Sequence, residues 1–296
     1  MFESIGRGWT LTKASFAVLV KDKEIMLLPL MSGIILLVLW ASFILPFFVG
    51  FPANLTAFII YALLLIALYF ISYYIMIYFN AAVIGCATIR LNGGDPVVKD
   101  GLRIAGENKW LIFKWALLAA TVGLILNLIS SAARQRRGIG GLLTSYAASF
   151  LGMAWSIAVY FVVPVIIYEK LTPWKAMKRS VSILKSTWKE ALVGNIGVGI
   201  IFFLLALGGL AFLMIGVYGF FVTGSIALVV VFIIIAVIWW VIVACAYVAV
   251  SGILTAALYK YATTGKLSSG FDEAFITNPW NVGGSSGGSF SSKPYY

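Results

Sequence analysis

"TPWKAMKRSVSILKSTWKEALVGN" (Thr172 to Asn195) carries five cations and one acid in a chain with only 10% charged residues. From Ala191, in its last turn, the sequence then runs 69 residues to Tyr259 without one Asp, Glu, Lys or Arg. A second charge-free run, Ile25 to Ile89, covers 65 residues. One bilayer crossing takes about 20 apolar residues, so each run is too long for one helix and suits a hairpin of two. Composition agrees. The chain is 62% hydrophobic with mean hydropathy +1.04, whereas a soluble domain carries about a quarter charged residues. Continuous apolar runs, without the alternation of lipid-facing strands, favour helices over a barrel. The expected class is an all-α polytopic membrane protein.

Turn signals divide the apolar stretches into six spans. "GFPAN" (Gly50 to Asn54) separates about 26–49 from 54–88, and "RQRRGIGG" (Arg134 to Gly141) separates 111–133 from 142–167. "GVYGFFVTG" (Gly216 to Gly224) separates 192–216 from 225–259. Six spans put both termini on one side, and 18 of the 21 Lys and Arg residues fall on that side. Only Arg134, Arg136 and Arg137 lie opposite, as a lipid-phosphate or partner site or simply a solvated cluster. The positive-inside rule makes the termini cytoplasmic, in the cell membrane. The start, "MFESIGRGWTLTKASF", has no short apolar core with a small-residue cleavage site, so no cleaved signal peptide is expected. Asn54 to Ile89 and Gly224 to Tyr259 are each 36 uncharged residues. At 1.5 Å per residue such a helix is about 54 Å long against a ~30 Å core, so the inner ends should project from the membrane under an apolar cover.

The opening stretch fits that role. Thr172 is an expected N-cap and Pro173 suits the first helical position. Trp174, Met177, Val181, Leu184 and Trp188 form an apolar stripe. Lys175, Lys178, Lys185 and Lys189 line its flank, with Arg179 just beyond and Ile183 on the wrong face. A basic helix with Trp at both ends of its stripe suits the headgroup plane, with these five cations on anionic headgroups. The plainer reading packs the stripe on the protein's own helices and leaves the charges in water. Two further segments share the design. Asp95-Pro96 starts a helix with Val98, Leu102 and Ala105 on one face; near the N-terminus Ile5, Trp9, Phe16 and Leu19 share another. Trp9, Trp110, Trp174 and Trp188 are the expected interfacial anchors. Pro96 and Pro173 are 77 residues apart, and Trp110 and Trp188 are 78 apart. The pattern predicts three hairpins, each preceded by an amphipathic cytoplasmic-side helix. These form pseudo-repeats at about 1–90, 91–168 and 169–262 within a membrane domain of residues 1–277. A flexible Gly/Ser-rich tail follows at 278–296.

The helix from Pro173 to Asn195 after a long span resembles a widespread group of six-span prokaryotic membrane proteins of unknown function. More distantly, it is similar to the membrane domain fused to some glycerophosphodiester phosphodiesterases. The resemblance covers residues 1 to about 277 and implies a six-span fold with cytoplasmic-side helices. It brings no catalytic motif.

The chain has no His, and no acid falls inside an expected span. Proton-coupled transporters usually place ionisable groups at mid-membrane, so a proton-coupled pump, an acid–base enzyme and an intramembrane metalloprotease are disfavoured. Cys86 and Cys245 read as small buried hydrophobes, and no metal or cofactor is expected. Gly194, Gly197, Gly199, Gly208 and Gly209 read as helix-packing positions rather than a broken, substrate-binding helix. Asn80, Asn127 and Asn195 are the most polar span residues; they either bond between helices or line a path. Phe271, Phe275 and Trp280 lie among acids in a segment suited to docking under the long helices or on a protein partner. Nucleic acid is not an expected partner. Two functions follow as expectations. The first is a non-enzymatic protein organising lipid or a membrane protein complex. The second is a passive channel or facilitator for a small uncharged solute.

Overall fold

The computed structural model describes residues 2–49, 54–135 and 139–265, and at 2–10, 46–49, 133–135, 139–143 and 186–193 the backbone alone. Among the described residues the chain is helical, with no strand. The helices are α1 (Phe2–Lys21), α2 (Leu27–Val49), α3 (Leu55–Leu91), α4 (Val98–Glu107) and α5 (Lys109–Gln135). They continue as α6 (Ile139–Ala158), α7 (Val162–Glu169), α8 (Pro173–Thr223) and α9 (Ile226–Thr264). A 3₁₀ turn at Lys23–Met26 joins α1 to α2. Six stretches are long and apolar enough to cross a membrane: Lys23–Leu45, Leu55–Leu91, Lys109–Ala132, Thr144–Glu169, Gly194–Thr223 and Ile226–Thr264. The chain is a multi-pass membrane protein.

Local chemistry sets the helix ends. Asn54 caps α3 by accepting from the Ala57 N–H at 2.8 Å. The helix stops at Leu91, where Gly93 takes φ +87°, a left-handed turn that costs glycine nothing. Gly224, at φ +68°, ends α8 and turns the chain directly into α9. The glycines at 216 and 219 stay helical, so this span ends later than its turn signals suggest.

Three expectations need correction. The fourth span is broken. α6 ends at Ala158 and α7 begins at Val162, because Pro164 has no N–H for a bond to residue 160 and its ring crowds that turn. The Phe161 N–H freed at the break is taken by the buried Ser180 hydroxyl of α8, at 2.9 Å. Next, the basic segment is not a separate in-plane element. It is the start of α8, which is helical without interruption for 51 residues, about 77 Å at 1.5 Å per residue. Gly194, Gly197 and Gly199 stand where the amphipathic part gives way to the apolar part, yet all three stay helical and no proline intervenes. Finally, Asp95 does not cap α4. It pairs with Arg90, and Asp100 accepts from the Val97 N–H at 3.2 Å instead. α1 and α4 are separate helices preceding α2 and α5, so the third amphipathic segment alone is fused to its span.

The buried core gathers at the end of the bundle that carries the charges. There the last turns of α3 (Ala81 to Ala87, Leu91) meet those of α9 (Ala249, Val250, Ile253, Leu254, Leu258). Leu11, Ala14 and Val18 of α1, Val162 to Ile167 around α7 and Ala176, Ile183 and Leu184 of α8 cover them. This is the apolar cover that the two long helices require. Gly252 admits the approach of α3, since a Cβ there would lie 2.5 Å from Val83 Cγ1. Gly101 of α4 lies equally close, 2.6 Å from the Ala82 carbonyl oxygen by the same measure.

Candidate functional site

Two features stand out as sites: the cationic surface of the charged end, and a polar cavity inside the bundle.

At the charged end, arginines take the acids. Arg90 forks onto the buried Asp22 through Nε and Nη2, and Nη2 also meets Asp95. Arg103 pairs with Asp100 at 3.1 Å. Arg179 Nε donates to both Glu169 oxygens at 3.0 Å, and Glu169 Oε1 also accepts from Tyr259 at 3.1 Å. No lysine takes part in these ion pairs. Lys260, half-buried, donates to the Leu91 carbonyl at 2.8 Å, which places a cation at the C-terminal end of α3. Lys99, Lys109, Lys114, Lys170, Lys175, Lys178 and Lys185 are exposed.

The expected headgroup set therefore splits. Lys175, Lys178 and Lys185 face outward, Arg179 is engaged with Glu169, and the Lys189 side chain lies outside the described residues. The buried face of this segment is also rotated from the expected stripe. It runs through Pro173, Ala176, Ser180, Ile183 and Leu184, so Ile183 sits on the right face after all. Trp174 is 57% exposed, with Lys178 Nζ 5.9 Å from its ring centroid. Small residues explain the rotation: Ala176 and Ser180 let the helix approach closely, where a Trp stripe would hold it off. On α1, Leu19 of the expected face is buried together with Leu11, Ala14, Ser15 and Val18 while Phe16 is partly exposed, and α4 turns Ala105 inward as expected. Trp110 is exposed, edge-on to Phe113 at 6.0 Å. The side chains of Trp9 and Trp188, the arginines at 134–137 and all residues beyond 265 lie outside the described residues.

The cavity measures about 450 Å³. α3 supplies Tyr73 and Asn80, α5 supplies Trp115, Ala119 and Gly123, and α6 supplies Trp155. Tyr160 enters from the α6–α7 break, Asn195 from α8, and Tyr247, Ser251 and Thr255 from α9. Among the described residues, no Asp, Glu, Lys or Arg lines it. Thr255 Oγ1 lies 3.4 Å from Tyr160 Oη, and the Ser251 hydroxyl is buried without a hydrogen-bond partner. Trp115 and Trp155 stack at 6.0 Å. Asn80 and Asn195, far apart in sequence, thus meet at one cavity, while Asn127 is exposed and accepts from Ser131 at 3.3 Å. Sequence reading missed Ser251, Thr255, Tyr160 and Tyr247. The available signal was Ser251 and Thr255, four residues apart and so on one face of an otherwise apolar helix.

The other polar and small residues have structural work. Gly208 and Gly209 leave room for two indoles of α9: Trp239 Nε1 donates to Leu205 O at 2.8 Å and Trp240 Nε1 to Ala206 O at 2.9 Å. Packing is the use these glycines serve. Cys86 is buried with its Sγ 3.6 Å from Val97 O, and Cys245 is half-buried; both are free thiols.

Fold and surface together define a six-span, all-helical membrane protein with a compact charged end. Residues 58–271 match the model of a family of unknown function, DUF6159, and the chain belongs to that family. No curated protein matches it.

Proposed function

We propose that this is a non-enzymatic protein of the cell membrane, with both termini cytoplasmic, whose lysine-rich end engages anionic headgroups and so organises lipid or a protein complex. One observation carries the reading: the described ion pairs join arginines to acids, and every described lysine but the half-buried Lys260 is exposed. Arginine's planar fork suits fixed pairing with carboxylates, whereas lysine's ammonium is a mobile point charge on a flexible stem. A surface of lysines around an apolar bundle is what an anionic leaflet attracts. Three pseudo-repeats of amphipathic helix plus hairpin would present such lysines around the bundle. The distant likeness to the membrane domain of glycerophosphodiester phosphodiesterases adds only a six-span scaffold.

The test is lipid retention. The Lys175→Gln, Lys178→Gln, Lys185→Gln triple variant should lose phosphatidylglycerol relative to phosphatidylcholine when purified from mixed vesicles. Three cations at about 1 kcal/mol each set an upper limit of ~3 kcal/mol, reduced by salt. Equal retention by variant and parent, at low and high salt alike, contradicts the reading. Impermeant-thiol labelling of Lys175→Cys from outside intact cells would contradict the orientation.

A further inference from the structure

We propose that the cavity between α3, α5, α6, α8 and α9 is a binding site for one small uncharged molecule rich in hydroxyl groups, of the polyol class. This is independent of the lysine-rich end, which shares no residue with it.

Size comes first. Ligand sites commonly enclose about 300–1,000 Å³, and this cavity encloses about 450 Å³. Its polar groups then define the chemistry. Asn80, Asn195, Ser251 and Thr255 approach from three helices; the amides and the Ser251 hydroxyl carry both donor and acceptor atoms, and Thr255, which donates to Ser251 O, can still accept. A polyol, whose hydroxyls also do both, matches such a wall in any register.

The Ser251 hydroxyl supplies the second, independent observation. Buried and without a partner, it leaves unmade a hydrogen bond whose loss costs about 1–3 kcal/mol in a closed protein. Helical serines ordinarily satisfy themselves on the carbonyl four residues back, as Thr255 does on Ser251 O at 2.8 Å. Ser251 does not, and it lines the cavity, where a ligand hydroxyl would complete it.

The lining also excludes other classes. An ion would enter a bundle interior with no counter-charge, since no charged side chain among the described residues lines the cavity. A lipid tail would leave the Ser251 hydroxyl unpaired. The stacked Trp115 and Trp155 rings supply an apolar face against which the C–H side of a polyol can lie.

Saturation-transfer NMR on the full chain in neutral phosphatidylcholine nanodiscs tests this, with erythritol as probe and acetate and tetramethylammonium as charged controls. Saturation should pass to erythritol and to neither control. Ser251→Ala should weaken erythritol binding at least about threefold while the melting temperature stays unchanged or rises, because an unsatisfied hydroxyl has been removed. Asn80→Leu, nearly isosteric, should weaken it similarly. Absence of transfer to erythritol in the parent overturns the proposal. So does transfer that neither substitution reduces, or transfer to either charged control that the substitutions reduce equally.

Discussion

The two halves of α3 and α9 are both apolar, yet they live in different surroundings. Toward the charged end, "AAVIGCAT" (Ala81 to Thr88) and "AVSGILTAA" (Ala249 to Ala257) are buried almost throughout. Toward the other end, "LLLIALYF" (Leu63 to Phe70) and "VVVFIII" (Val229 to Ile235) are mostly exposed. Hydropathy alone would turn the wrong segments inward, since the exposed ones are the more hydropathic; side-chain size sorts them correctly. Lipid tails solvate Leu as well as a protein core does, so large side chains gain nothing by turning inward; small residues gain close backbone approach and dispersion contact. The charged half is where this protein is held together.

Four substitutions probe that difference. The largest loss is expected from Arg90→Met, which strands the buried Asp22 carboxylate; breaking such a pair costs about 3–5 kcal/mol. Denaturant titration should show it, and adding Asp22→Asn should recover much of the loss. Gly101→Ala comes next. Its Cβ would meet the Ala82 carbonyl oxygen at 2.6 Å, a backbone atom that cannot swing aside, so about 3 kcal/mol of over-packing is expected by the same titration. Ser180→Ala leaves the Phe161 N–H buried and unpaired at the α6–α7 break, for about 2 kcal/mol and faster amide exchange near residue 161. Ile234→Ala, in the exposed half, should stay within about 0.5 kcal/mol of the parent.

Much of this was legible in the sequence. Charge-free runs and their turns marked six spans, every bound within five residues except the fifth span's end, seven residues late, and the excess length of α3 and α9 foretold an apolar cover. What misled was weighting by hydrophobicity. Trp174 and Trp188 drew the expected stripe, but Ala176 and Ser180 decide which face of α8 packs, because contact rewards smallness there. Pro164 was readable as a break, yet its partner Ser180 lies a helix away and only folding joins them. The fusion of the basic segment to its span ran against a local signal, because Gly194 and Asn195 are residue types that favour a helix end, yet both stay within α8. The cavity was half-visible. Asn80 and Asn195 stood out as polar, but their meeting, and the addition of Tyr160, Ser251 and Thr255, depends on helix rotation that apolar periodicity does not encode.

The central claim, that small side chains in the charged half hold the bundle while the other half is solvated by lipid, is tested most directly within α3. Ala82 is fully buried and Ala67 is exposed, fifteen positions apart on one helix. Thermal unfolding of Ala82→Leu and Ala67→Leu in the same detergent should separate them. Ala82→Leu should lose about 1–3 kcal/mol by over-packing, and Ala67→Leu should match the parent. Equal stability of the two variants, or a greater loss at residue 67, would contradict it.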